Sequence, residues 1–121
     1  GKKMKAIIFI AHGSKKDKSN NEFKNLVENI SKNVKTYELK KAAFLELASP
    51  SIEETAIEFI KKGAKDISFY PYFLNSGKHV LIDVPEIIDG LKKEYKDINF
   101  TLLNHFGKSK RIEEIILSDI E

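Results

Sequence analysis

The sequence predicts an open α/β fold, a four-stranded parallel sheet in the order 2-1-3-4 with helices on both faces. Strand-like and helix-like segments alternate along the whole chain without a repeat, a low-complexity tract or a linker. That alternation calls for parallel strands joined by right-handed crossovers. Lys5 to Ala11 is an almost unbroken apolar run rich in β-branched residues, the pattern of a strand covered on both faces. A length of 121 residues suits one core, so residues 1–121 are expected to form a single domain. Gly1-Lys2-Lys3, ahead of Met4, are set aside as an added or disordered leader, or as residues before a later native start.

Each element has its own signal. After the first strand, Lys15 to Lys18 form a basic loop, and Ser19 or Asn20 is placed to cap a helix. Phe23, Leu26, Val27 and Ile30 recur there at helical spacing, and the helix should fade near Val34. Tyr37 to Leu47 reads as the second strand. Ser49-Pro50-Ser51 opens the next helix, with Ser51 to Glu54 as a capping box and Gly63 as the stop. Asp66 to Phe73 is the third strand, ending around Pro71, which cannot donate to a central ladder. Leu74 to His79 is a loop. A helix should follow from about Ile82, with Pro85 in its first turn and Ile87, Ile88 and Leu91 inward. Ile98 to Leu103 is the fourth strand, Asn104 to Lys108 a loop, and Arg111 to Ile120 a last amphipathic helix.

Composition narrows the chemistry. There are no cysteines, which removes disulfides, thiolate nucleophiles, zinc ribbons and cysteine-held iron–sulfur clusters together. Any metal must use imidazole and carboxylate ligands. Neither GxGxxG nor GxxxxGK[ST] occurs, so a nucleotide site is not expected, nor any organic cofactor. No apolar run approaches the roughly 20 residues of a membrane span and no signal peptide is visible. The net charge of +3 is modest, with lysines scattered among glutamates. Neither nucleic acid nor membrane is an expected partner, and a cytoplasmic location fits.

Two histidines stand at related places. His12 follows the first strand in Ala11-His12-Gly13-Ser14, and His79 follows the third in Pro71-Tyr-Phe-Leu-Asn-Ser-Gly-Lys-His79. In a 2-1-3-4 sheet the chain reverses direction between strands 1 and 3, and ligands bind outside the carboxyl ends at that switch point. Topology would therefore bring both imidazoles to one crevice, with Glu46 beside them at the end of strand 2. Two imidazoles without a cysteine form an open coordination sphere for Co, Ni, Fe, Cu or Zn. Such a sphere suits a metal that is passed on better than a structural zinc.

At these residues the sequence resembles the short class II tetrapyrrole chelatases, which insert cobalt, iron or nickel into sirohydrochlorin. The matching pieces are Ala11-His12-Gly13-Ser14, Phe44-Leu45-Glu46-Leu47 with Ser49-Pro50-Ser51-Ile52, and Pro71-Tyr72-Phe73-Leu74 with Gly77, His79 and Asp83-Val84-Pro85. They span most of the chain in the right order. The resemblance implies a chelatase-like fold and metal binding by His12 and His79, with Glu46 as the family's acidic residue. It also implies a homodimer, with Co2+, Ni2+ or Fe2+ as the metal substrate. One departure is Asn104-His105-Phe106-Gly107, where a turn containing glycine and proline is expected.

Chelation would require a group that strips the metal of water and a base for two pyrrole protons. His12 and His79 would hold the metal, and Glu46 or a released histidine would accept protons. Sirohydrochlorin is a polycarboxylate, so Lys15, Lys78 and their neighbours would orient it. Ser14, Ser76 and Gly77 would supply donors, and Tyr72 a stacking face. Two other readings compete. A phosphohistidine phosphatase also places His-Gly after its first strand, but needs arginines, and Arg111 is the chain's only one. A non-catalytic metal or tetrapyrrole carrier would use the same histidines, and turnover separates the two.

Overall fold

The structure, a computed structural model, describes residues 3–121; Gly1 and Lys2 of the expected leader lie outside the described residues. Its first strand, β1 (Met4–Ala11), buries Ala6 to Ile10 without a break. Alternate side chains of a strand point to opposite faces, so β1 feeds two cores. Ala6, Ile8 and Ile10 pack with Ile67, Phe69 and Phe100 on one side. Ile7 and Phe9 pack with Phe23, Val27 and Phe44 on the other. Ile8 and Ile10 are fully buried, each contributing about 1.5–3 kcal/mol.

The other strands are β2 (Leu39–Phe44), β3 (Ala64–Pro71) and β4 (Asn99–Leu102), all parallel and in the expected order β2-β1-β3-β4. Helix α1 (Asp17–Ser31) covers one face. Helices α2 (Ile52–Lys61) and α3 (Val84–Glu94) cover the other. The Ser51–Glu54 capping box forms in full, and Gly63 follows the end of α2. Between α2 and β2, Glu58 pairs with Lys41 at 2.9 Å, which holds its carboxyl below the ordinary glutamate range.

Several boundaries differ from the sequence reading. Helix α1 starts at Asp17, not after Ser19 or Asn20, and its N-cap Lys16 makes no side-chain cap. Asn20 is buried inside the helix because its amide is occupied with the preceding loop. Leu26 and Ile30 stay more than a third exposed. Strand β2 runs from Leu39 to Phe44 rather than Tyr37 to Leu47; its β1 bonds continue through Leu45 and Glu46, and Leu47 then enters the left-handed region at φ 65°. Strand β3 starts two residues earlier than expected and ends at Pro71. A five-residue π turn, His79–Asp83, precedes α3 and spans the end of the expected loop and the expected helix start near Ile82.

The last helix, α4 (Ile112–Ile120), buries none of its residues; Ile115, Ile116 and Leu117 are each more than half exposed. Amphipathic spacing forms the helix without burying its apolar face. Among the described residues, no helix is long and apolar enough to cross a membrane.

Candidate metal centre

The loops after β1, β2 and β3 meet at the carboxyl edge of the sheet. The ladder between β1 and β2 continues past both strands, with Leu45 N–H donating to Ala11 O and Glu46 N–H to His12 O at 3.0 Å. Gly13 makes that approach possible. It adopts φ +98°, and a Cβ there would lie 1.8 Å from Glu46 O. Beyond Glu46, Leu47 holds a left-handed conformation that costs a branched residue about 1–2 kcal/mol. On the other side of β1, Tyr72 N–H donates to Ile10 O at 2.7 Å and aligns the loop leading to His79.

These constraints bring His12, Glu46 and His79 together, with one donor atom from each lying within 4.8 Å of the others. The two imidazole rings sit 4.6 Å apart, centroid to centroid. Donors bound to one ion at about 2.1 Å lie about 3–3.5 Å from one another, so side-chain adjustment closes the cluster around a cation. His12 and His79 side chains are 40% and 41% exposed and Glu46 is 50% exposed, leaving the cluster open to solvent.

Hydrogen bonding fixes which nitrogens face inward. His12 Nδ1 lies 2.9 Å from Gly13 O, and a carbonyl can only accept, so Nδ1 carries the proton. His12 Nε2 then faces Glu46 Oε1 at 3.1 Å. A neutral imidazole and an ionised carboxylate would meet there lone pair to lone pair. A cation placed between them would give both lone pairs a partner.

The remaining candidate residues are placed less uniformly. Ser14 is taken up by the loop: its backbone N–H and C=O both bond Asn20, and its hydroxyl accepts from Lys16 N–H. Lys15 is exposed. Tyr72 stacks on Phe23 with centroids 5.3 Å apart and also contacts Phe106, an aromatic cluster on the α1 side of the sheet. Packing therefore occupies much of the ring expected to stack on substrate. Ser76 lines a cavity of about 600 Å³ with Leu81, Asn104, His105 and Lys108. Gly77 is exposed, its carbonyl accepting from Leu81 N–H. Lys78 lies 3.7 Å from Asp83. The departure at residues 104–107 is docked tightly, since a Cβ on Gly107 would meet Leu74 O at 1.6 Å.

Asp83 received no role from the sequence. Its Oδ2 accepts from His79 Nδ1 at 2.8 Å. The spacing His79-x-x-x-Asp83 was a usable signal, but placing the helix start at Ile82 left the histidine in a loop. Asn20, a candidate cap by sequence, instead pins the His12 loop from inside α1 through Ser14.

A doubly wound parallel sheet with two imidazoles and a carboxylate at its switch point belongs to the class of α/β proteins with an open metal-binding crevice. Residues 6–121 match the CbiX family model, and the chain belongs to the CbiX family, the class II chelatases. It is 30% identical over 117 residues to the sirohydrochlorin ferrochelatase of Priestia megaterium, covering 97% of this chain and 44% of that protein. It is 27% identical over 119 residues to the sirohydrochlorin cobaltochelatase of Sulfolobus acidocaldarius, covering 98% and 91%. A crystal structure of the chelatase SirB from Bacillus subtilis subspecies spizizenii in complex with cobalt superposes with a TM-score of 0.86 at 27% identity, covering 97% of this chain and 51% of that one. The chain spans about half the length of the first curated relatives it matches.

Proposed function

We propose that this chain inserts a divalent metal, Co2+, Ni2+ or Fe2+, into sirohydrochlorin, with His12 and His79 holding the metal and Glu46 accepting protons. The observation that carries the reading is the convergence of His12, Glu46 and His79 donors within 4.8 Å at the crevice of the sheet. His12 Nε2 and Glu46 Oε1, 3.1 Å apart, present facing lone pairs to a cation. Macrocycle entry would exchange the imidazole ligands of the metal for pyrrole nitrogens. The balance is one divalent ion in and two pyrrole protons out, with Glu46 and a released imidazole as acceptors. Exposure of all three groups suits a metal that must leave again.

The loops that carry the donors also carry groups suited to the macrocycle. Leu74, in the loop leading to His79, and Leu81, in the π turn, are each more than 60% exposed and would offer apolar surface to the ring. Lys15, Lys78 and Lys108 would supply positive charge for its carboxylates, and Ser76 and Gly77 would supply hydrogen-bond donors. The measurement is the initial rate of sirohydrochlorin metallation, followed by visible absorbance and corrected for the spontaneous reaction. Rates above background with at least one of the three metals are expected. Binding of metal and tetrapyrrole without turnover would make the chain a carrier.

In this reading the working unit is a cytoplasmic homodimer. Ile115, Ile116, Leu117 and Ile120 of α4 are exposed, and an apolar groove of about 420 Å³ lies between α1 and the sheet, lined by Phe23, Leu26, Ile30 and Tyr70. Exposed apolar faces of this kind mark association surfaces, and a second copy would supply the length by which the longer relatives exceed this chain. Sedimentation at micromolar concentration should give a dimer. A 13.8 kDa species alone would count against it.

A further inference from the structure

We propose that Asp83 is the positioning residue of the site, holding His79 in the tautomer and orientation that aim Nε2 at the metal; this rests on the metal-holding role of His79 proposed above. Asp83 Oδ2 lies 2.8 Å from His79 Nδ1, and the Asp83 side chain is 24% exposed against 41% for the histidine. A carboxylate only accepts, so the contact places the proton on Nδ1 and leaves the Nε2 lone pair free. A carboxylate partner also makes the imidazole a stronger donor to a cation.

The backbone explains why Asp83 is available for this task. It precedes α3, where an aspartate would ordinarily cap the first turn. Here the π turn runs directly into α3, with Val84 N–H donating to His79 O, and Asp83 makes no side-chain cap. The carboxylate is therefore free to reach back one turn to His79. Turns of this kind are rare and recur at functional sites. Lys78, 72% exposed, lies 3.7 Å from the other oxygen of Asp83 and leaves Oδ2 to the histidine.

The two imidazoles are thus oriented by different devices. His12 is held by the neutral carbonyl of its own neighbour, Gly13. His79 is held by a charged carboxylate on the following helical entry. The charged partner falls on His79, the first residue of the π turn, while His12 is braced by the β1–β2 backbone bonds.

Two readouts on Asp83→Ala and Asp83→Asn test this. The first is the tautomer of His79 in the metal-free protein at pH 8, from long-range proton–nitrogen NMR of the imidazoles. The wild type should show Nδ1–H, and Asp83→Ala should shift towards Nε2–H. The second is the Co2+ dissociation constant with the visible ligand-field spectrum of the bound ion. Asp83→Ala should weaken cobalt about 10–100-fold, and Asp83→Asn should weaken it less, since an amide carbonyl can still accept from Nδ1. Glu86→Gln, which removes a neighbouring acidic group lining the same groove as Asp83, should bind cobalt as the wild type does. An unchanged His79 tautomer in Asp83→Ala, or cobalt affinity within about twofold of wild type in either folded variant, overturns the assignment. So does an equal loss in Glu86→Gln, which would make the effect one of general negative charge. Should Asp83→Ala not fold, the Asp83→Asn cobalt affinity decides alone. Failure of the wild type to bind cobalt would instead refute the metal-holding reading, with the tautomer still reporting on Asp83.

Discussion

His12→Ala and His79→Ala are each expected to bring sirohydrochlorin metallation down to the uncatalysed rate, a loss of roughly 100-fold or more, given that removing even an outer partner of a ligand typically costs 10–100-fold. The reason is the small number of donors. Three groups converge at the crevice, and losing one imidazole leaves a single histidine and a carboxylate, too few to compete with water for a divalent ion. Stability should change little, because both side chains are about 40% exposed and neither belongs to the buried clusters. Circular dichroism and thermal unfolding check the fold, and cobalt titration checks the site. Near wild-type turnover in either variant would remove that histidine from the metal-holding pair.

Gly13→Ala should damage both stability and metal binding without touching a donor atom. The added Cβ would lie 1.8 Å from Glu46 O, at a backbone φ of +98°. Alanine pays about 1–2 kcal/mol for that conformation, and relieving the overlap adds a comparable overpacking cost. Together they give a destabilisation of about 2–4 kcal/mol, readable as a lower urea midpoint. Relief requires the Glu46 backbone to withdraw, which breaks its bond to His12 O and separates His12 Nε2 from Glu46 Oε1. Cobalt affinity should therefore fall along with stability. A variant with wild-type urea midpoint and cobalt affinity would mean that the close approach of these loops does not hold the centre together.

Much of this architecture is written in local pattern. The apolar run of β1 states its burial on both faces, and Ser51 with Glu54 states where α2 begins, since each depends on neighbours a few residues away. The alternation of elements implies a parallel sheet, and the chirality of crossovers then limits the strand order enough to bring His12, Glu46 and His79 to one edge. Those three positions were legible because topology alone places loop ends there. What the sequence left open are contacts between side chains of separate segments. Asn20 reads equally well as a cap or as a clamp on the Ser14 loop. Asp83 reads as a first-turn residue of a helix starting near Ile82 until the π turn aligns its carboxylate with His79. The spacing of α4 dictates a helix but not whether its apolar face is covered. Periodicity records which residues avoid water along one segment. The partner each one meets depends on how loops close in three dimensions, and for Gly13 and Glu46 that closure comes down to an approach with no room for a single carbon atom.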